Sequence, residues 1–268
     1  MDQDALEAPR LLLYHDITLT GRVPEREAAR RLRSHIDHLT SAGYRFASVD
    51  DFLRGDLGSR DVVFMFDDAS RSFAEIALPM LLAIRAPVAV FAVSGLADRV
   101  DARRVSMSWQ ELRECSARGV HVGCHAATHV PLDEVPVEAM RAEISLSIRR
   151  FEEEGLRPTT FAYPFGRYND AVKAAVREAG YGAAFTVMKG GKDAFEIRRR
   201  LLSGGEGSLQ LGFEVSDRFF ETRDAVRRLV PRRFLLQEQP IARHRWGAEG
   251  FGLPALPTVD AGGGREAR

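Results

Sequence analysis

The chain has 268 residues, enough for one large domain with a substantial core. Its formal net charge is zero and its apolar and charged fractions are ordinary for a soluble globular protein, so composition gives no support to a nucleic-acid or anionic-membrane partner. No apolar run nears the roughly 20 residues of a membrane span, and the acidic start MDQDALEAPR lacks the apolar centre of a secretory signal, which makes the cytoplasm the expected location.

In chain order, Arg10–His15 (RLLLYH) reads as a strand. Pro24–Gly43 predicts a helix, with Pro near its start and Gly just past its end. Phe46–Val49 is a short strand and Val62–Phe66 a fully apolar one. Ser72–Arg85 is helical, with Pro79 as a kink. Val88–Val93 is the next strand, followed by a helix over Ser108–Gly119 that opens on a capping box, Ser108 with Glu111. Val120–Cys124 is a strand, Val137–Gly155 a long helix, Thr159–Tyr163 a strand, Asn169–Tyr181 a helix and Ala183–Val187 a strand. Beyond Val187 the pattern weakens, although Ser216–Val230 reads as one more amphipathic helix. From about Gln237 the text is Pro, Gly and Ala with scattered charge, which divides the chain into a domain over 10–235 and a flexible tail over 236–268.

Strands apolar on both faces, separated by crossover helices, imply a parallel sheet. About seven such units predict an α/β chain folded as an irregular (β/α) barrel, with an open doubly wound sheet as the alternative. The two cysteines, Cys115 and Cys124, fit no zinc spacing and read as reduced, buried thiols.

In a parallel barrel, functional side chains gather where the strands end. Asp67 and Asp68 follow the third strand, His125 and His129 the fifth, Tyr163-Pro164-Phe165-Gly166 the sixth, and His15 the first. Each has a plain structural reading: a helix cap with a solvated neighbour, a chance pair of histidines, a Pro-Gly turn, a core histidine. His35 and His38 read as solvated positions on a helix, and His121 as a structural residue within a strand.

Taken together the strand ends say more. Two histidines and one carboxylate make an N,N,O set suited to one divalent metal ion such as Zn²⁺. Asp68 would bind the cation, whose charge lets Asp67 stay ionised beside it and take a proton from water.

The order Phe66-Asp67-Asp68, then His125-Ala126-Ala127-Thr128-His129, then Tyr163-Pro164-Phe165-Gly166 resembles the NodB-homology polysaccharide deacetylases of carbohydrate esterase family 4. The likeness runs from about Arg10 to Leu202. The stretch Phe161–Asn169 and the early Tyr14-His15 resemble the poly-N-acetylglucosamine deacetylase branch. The resemblance implies a metal-dependent hydrolase that removes acetyl groups from an N-acetylated carbohydrate. It implies Asp67 as general base, Asp68, His125 and His129 as metal ligands, the Phe165 N–H as an oxyanion donor, and Tyr163 and Pro164 at the substrate.

Three positions depart from the family pattern. Ala69 stands where Gly is usual, Ala126 where a hydroxyl props the His loop, and Ala162 where an Arg orients the base. The late Leu-x-His motif has no counterpart, since the only later histidine is His244 in the tail. Amide cleavage still needs a proton for the leaving nitrogen. With the metal-binding histidines excluded, His15 is the histidine on the right face to give it. The alternatives are a deacylase or deformylase of another amide, such as a lipid-linked sugar, and a non-catalytic glycan-binding or scaffold protein.

Overall fold

A computed structural model of the chain describes residues 10–18, 21–98, 106–188, 190 and 193–216. The expected helix over Ser216–Val230, all but its first residue, and the expected tail lie outside the described residues. The elements run β1 (Leu11–Tyr14), α1 (Glu25–Ser41), β2 (Arg45–Phe46), α2 (Val49–Arg54), β3 (Asp61–Asp67), α3 (Leu78–Ala83), β4 (Val88–Ala92), α4 (Trp109–Ala117) and β5 (His121–Cys124). They continue with α5 (Val137–Glu153), β6 (Thr160–Ala162), α6 (Asp170–Glu178), β7 (Ala183–Thr186), β8 (Ile197–Arg198), β9 (Arg200–Leu201) and α7 (Ser208–Glu214).

The sheet order is β8-β7-β6-β5-β4-β3-β1-β9, with β2 also beside β3, and the strand pairings are parallel. β8 and β9 are two halves of one run. Ile197 and Arg198 pair with β7, Arg200 and Leu201 with β1, and Arg199 sits at the join. That run brings the two edges of the sheet together, so the chain forms the expected irregular barrel.

Strand parity assigns each side chain to the inside or the outside. Leu11, Leu13, Val63, Met65, Ala89, Phe91, Phe185 and Ile197 fill the barrel. Leu12, Tyr14, Val62, Phe64 and Phe66 face out, under the helices. Gly123 has no side chain because one would meet the Phe91 ring at 2.4 Å, so the interior is full at that level.

Four local features differ from the sequence expectation. The strand expected at Phe46–Val49 stops at Phe46, because Ser48 and Asp51 form a capping box that starts α2. The Pro79 kink takes the form of a π-helical turn over Phe73–Ala77 immediately before α3. β8 and β9 were not anticipated, since Arg198-Arg199-Arg200 carries no apolar pattern. His35 is buried rather than solvated: the Tyr14 hydroxyl lies 2.9 Å from its Nδ1 and the Glu206 carbonyl 2.9 Å from its Nε2. The capping box of α4 forms as expected, and both cysteines are free and buried. Among the described residues no helix is long and apolar enough to cross a membrane.

Candidate active site and metal centre

The inward parity continues past the strand ends. Asp67 is in phase with Val63 and Met65, His15 with Leu11 and Leu13, His125 with Gly123, and Arg199 with Ile197. Residues far apart in sequence therefore meet at one mouth of the barrel.

The loops that follow are tight. Asp68, Ala69, Ala126, His129 and Phe165 all have positive φ, and they are five of the seven described non-glycine residues that do. A side chain there costs energy, so such strain clusters where surrounding structure enforces it. After β3, the Ala69 carbonyl accepts from Met107 N–H at 2.9 Å, and Ser70 bridges to Ser106. After β5, the Ala126 and Ala127 carbonyls accept from Ser94 and Gly95 N–H at 3.1 and 2.8 Å.

Asp68, His125 and His129 come together with their ligand atoms within 4.8 Å of one another, all three buried. His125 Nδ1 lies 2.7 Å from the Ala162 carbonyl, which makes Nδ1 the protonated nitrogen and leaves Nε2 with its lone pair. Nε2 makes no hydrogen bond and lies 3.9 Å from Asp68 Oδ1. His129 Nε2 is 3.5 Å from the same oxygen. A buried imidazole lone pair aimed at a carboxylate is unfavourable without a cation between them, so this donor set fits a divalent metal ion.

Asp67 lies beside this cluster with a different partner. Its two oxygens accept from Arg199 Nη1 and Nη2 at 2.8 and 2.7 Å, and both side chains are buried. The guanidinium sits against the rings of Phe91 and Phe185, 5.2 and 5.7 Å from their centroids. Burial alone would raise the Asp67 pKa, but the Arg199 charge, then His125, the Arg199 hydrogen bonds and His15 outweigh it, and the carboxyl titrates below its ordinary value. Arg199 is the site residue that sequence reasoning missed. Its signal was present in the odd spacing Ile197, Arg199, Leu201, but only once that run is known to be a strand.

His15 Nε2 lies 4.0 Å from Asp67 Oδ2, and its side chain is about one third exposed at the mouth. Burial lowers its pKa; Asp68 and Asp67 pull the other way without restoring it. Phe165, with φ of 59°, packs its ring at a tilt against His129, with ring centroids 4.6 Å apart. Tyr163 and Pro164 were expected at the substrate, yet both are buried. The Tyr163 hydroxyl donates to the Phe195 carbonyl and its ring stacks on Tyr168, so these residues shape the turn from beneath. His121 stays at the far end of β5, hydrogen-bonded to Thr160.

Comparison with known proteins follows the same outline. Residues 54–184 match the family model for polysaccharide deacetylases. IcaB from Ammonifex degensii superposes with a TM-score of 0.64 at 24% identity, over 75% of this chain and 96% of that one. The Streptococcus pyogenes deacetylase PplD, solved with acetate, gives 0.67 at 20% identity, over 77% and 97%. A de-N-acetylase from Aggregatibacter actinomycetemcomitans gives 0.60 at 20%, over 69% and 88%. No curated protein matches the chain. The barrel with its Asp-Asp and His-x-x-x-His strand ends has the NodB-type fold of these deacetylases, and its central part, residues 54–184, is similar to the polysaccharide deacetylase family.

Proposed function

We propose that the protein is a metal-dependent hydrolase that removes N-acetyl groups from an N-acetylated sugar polymer. The observation that carries this reading is the division of labour within one doublet: Asp68 converges with His125 and His129, while Asp67 stands beside them, buried and paired with Arg199. The family match and the names of the deacetylases that share the fold support acetate as a product.

Asp68, His125 and His129 would hold a divalent cation, which when bound would supply Lewis acidity toward the amide carbonyl and lower the pKa of a water molecule. Asp67 accepts the proton of the attacking water. Its lowered pKa keeps it ionised, and hence competent as a base, throughout the neutral range. As the carbonyl carbon gains its new oxygen, the Phe165 N–H donates to the oxygen that becomes negative. His15 gives a proton to the nitrogen as the C–N bond breaks, which releases a free amine on the sugar and acetate. The 4.0 Å between His15 and Asp67 lets one group give a proton and the other take one across the same reacting carbon.

The test is acetate release from N-acetylglucosamine oligomers, run with the metal-loaded protein and after chelation. Acetate that appears with metal and stops on its removal is expected. Turnover indifferent to a strong chelator would overturn the metal assignment. Release of formate or a longer acid from parallel substrates, with none from N-acetyl sugars, would move the substrate to another amide. The His15→Ala variant should keep metal and lose roughly 10²–10⁴-fold in rate. An undiminished rate would remove His15 from the reaction.

A further inference from the structure

The loop that carries both histidines is fastened on two sides. Toward the neighbouring strand, its carbonyls at Ala126 and Ala127 are held by backbone amides of the β4 exit. Toward the helical layer, one side chain grips it. Glu143 Oε2 accepts from Thr128 N–H at 2.9 Å, and Oε1 accepts from the Thr128 hydroxyl at 2.7 Å. Both oxygens of one carboxylate thus close on one residue, and that residue is the immediate neighbour of His129.

Glu143 is oddly placed for a mere surface charge. It is the seventh residue of the 17-residue helix α5, so it caps neither end. It is partly buried and lies among Met140, Ile144 and Ser147, which turn toward the barrel. Hydrogen bonds to an ionised acceptor are short and strong, and a two-point grip fixes direction as well as distance. The loop needs such a grip. Ala126 and His129 both have left-handed backbone, at φ of 64° and 60°, a conformation that relaxes when nothing enforces it.

We propose that Glu143 is a positioning residue of the metal centre, acting through Thr128 to hold His129 at its spacing from His125 and Asp68. Glu143 touches neither substrate nor metal. Its work is to keep the ligand set preassembled, so that the cation does not have to order the loop as it binds. This inference rests on the metal reading above.

The experiment is a Zn²⁺ competition titration with a chromogenic chelator on purified full-length protein, together with circular dichroism of the metal-free state. Glu143→Gln and Thr128→Val should each stay folded and bind Zn²⁺ roughly 10–100-fold more weakly, the range for loss of a partner that orients a ligand. The double variant should lose less than the two single effects multiplied together, because Thr128→Val removes the hydroxyl bond and Glu143→Gln weakens both bonds of the same two-point grip. Thr128→Ser, which keeps the hydroxyl, should bind like the wild type. Folded Glu143→Gln and Thr128→Val that hold Zn²⁺ as tightly as the wild type would overturn the brace and leave the metal centre standing. A wild type that holds no Zn²⁺ would overturn the metal centre, and the brace with it. Unfolding of both single variants without metal would assign the pair to general stability and also overturn the proposal.

Discussion

Strand β3 begins and ends on a buried aspartate, and an arginine grips each one through two hydrogen bonds. At the start, Asp61 accepts from Arg45 at 2.9 and 3.1 Å; at the end, Asp67 accepts from Arg199 at 2.8 and 2.7 Å. β5 repeats the theme, with His121 at its start and His125 just past its end. The two mouths of the barrel therefore hold similar residues, but they differ in how those residues are satisfied. Arg45 is 75% exposed, and Asp61 takes a further bond from Gly58 N–H. His121 has Thr160 at one ring nitrogen and Asp50 at the other, 3.4 Å away. At the opposite mouth Arg199 is fully buried, and His125 Nε2 has no hydrogen bond. Residue type does not separate a structural end from a reactive one. Convergence of buried metal-ligating atoms on one point does.

The largest expected contrast is between the two aspartates. Asp67→Asn should retain metal yet lose roughly 10²–10⁴-fold in kcat, because an amide cannot accept the proton. Asp61→Asn should leave kcat near the wild-type value. If a folded Asp61→Asn protein lost as much turnover as Asp67→Asn, the two ends would not be distinct in function.

The two histidines sharpen the contrast in a metal titration. His129→Ala removes a ligand and should weaken Zn²⁺ binding by more than the roughly 10–100-fold that outer partners cost. His121→Ala, at the structural end, should bind the metal normally. Equal metal content in both variants, measured by elemental analysis, would undo the ligand assignment.

The arginines separate through pH. Arg199 holds the Asp67 carboxyl below its ordinary pKa against the effect of burial. In the wild type, kcat/KM should therefore fall only as pH drops through that lowered value. The pairing stabilises the fold above the ordinary carboxylate pKa, and that contribution is lost as pH falls through the lowered one. In Arg199→Met burial remains and the largest opposing charge is gone, so the acid limb should move to higher pH. Arg45→Met removes an exposed partner and should leave the limb where it is, at a stability cost of no more than about 1 kcal/mol. An unmoved limb in a folded Arg199→Met protein would show that Arg199 does not govern Asp67.

Much of this was readable in the residues. Apolar strands alternating with helices announced the barrel, and strand ends located Asp67, Asp68, His125, His129 and His15. Parity could also have sent Asp67 inward, since Val63 and Met65 precede it in phase. What stayed hidden came from tertiary context. The closing run at Ile197–Leu201 is too charged to read as a strand, because its arginines are paid for by partners distant in sequence: Asp67 for Arg199 and Glu214 for Arg200. The Thr128–Glu143 contact joins a loop to a helix face, and no sequence period encodes it. The family resemblance put Tyr163 at the substrate, yet the residue is buried and its hydroxyl donates to a backbone carbonyl.

The smallest expected effect concerns backbone strain, and it compares a residue at each mouth. Ala69 follows the aspartate doublet with φ of 47°, and Gly55 closes α2 near the start of β3 with φ of 80°. Ala69→Gly relieves a left-handed alanine, worth about 1–2 kcal/mol. It also removes a buried methyl, about 0.8 kcal/mol, and frees the unfolded chain by about 0.4–1 kcal/mol. These contributions nearly cancel, so the stability of the metal-free protein in urea should change by less than about 0.5 kcal/mol. Gly55→Ala meets no neighbour within 4 Å, so only backbone conformation matters there. The strain of about 1–2 kcal/mol outweighs the entropy gain, and a loss of up to about 1.5 kcal/mol is expected. The contrast follows from what the methyl touches: at position 69 it joins the core cluster with Phe66 and Phe73, and at position 55 it would face open space. If Ala69→Gly instead stabilised the protein by more than about 1 kcal/mol, packing would not be offsetting the strain, and the turn beside the doublet would be storing it.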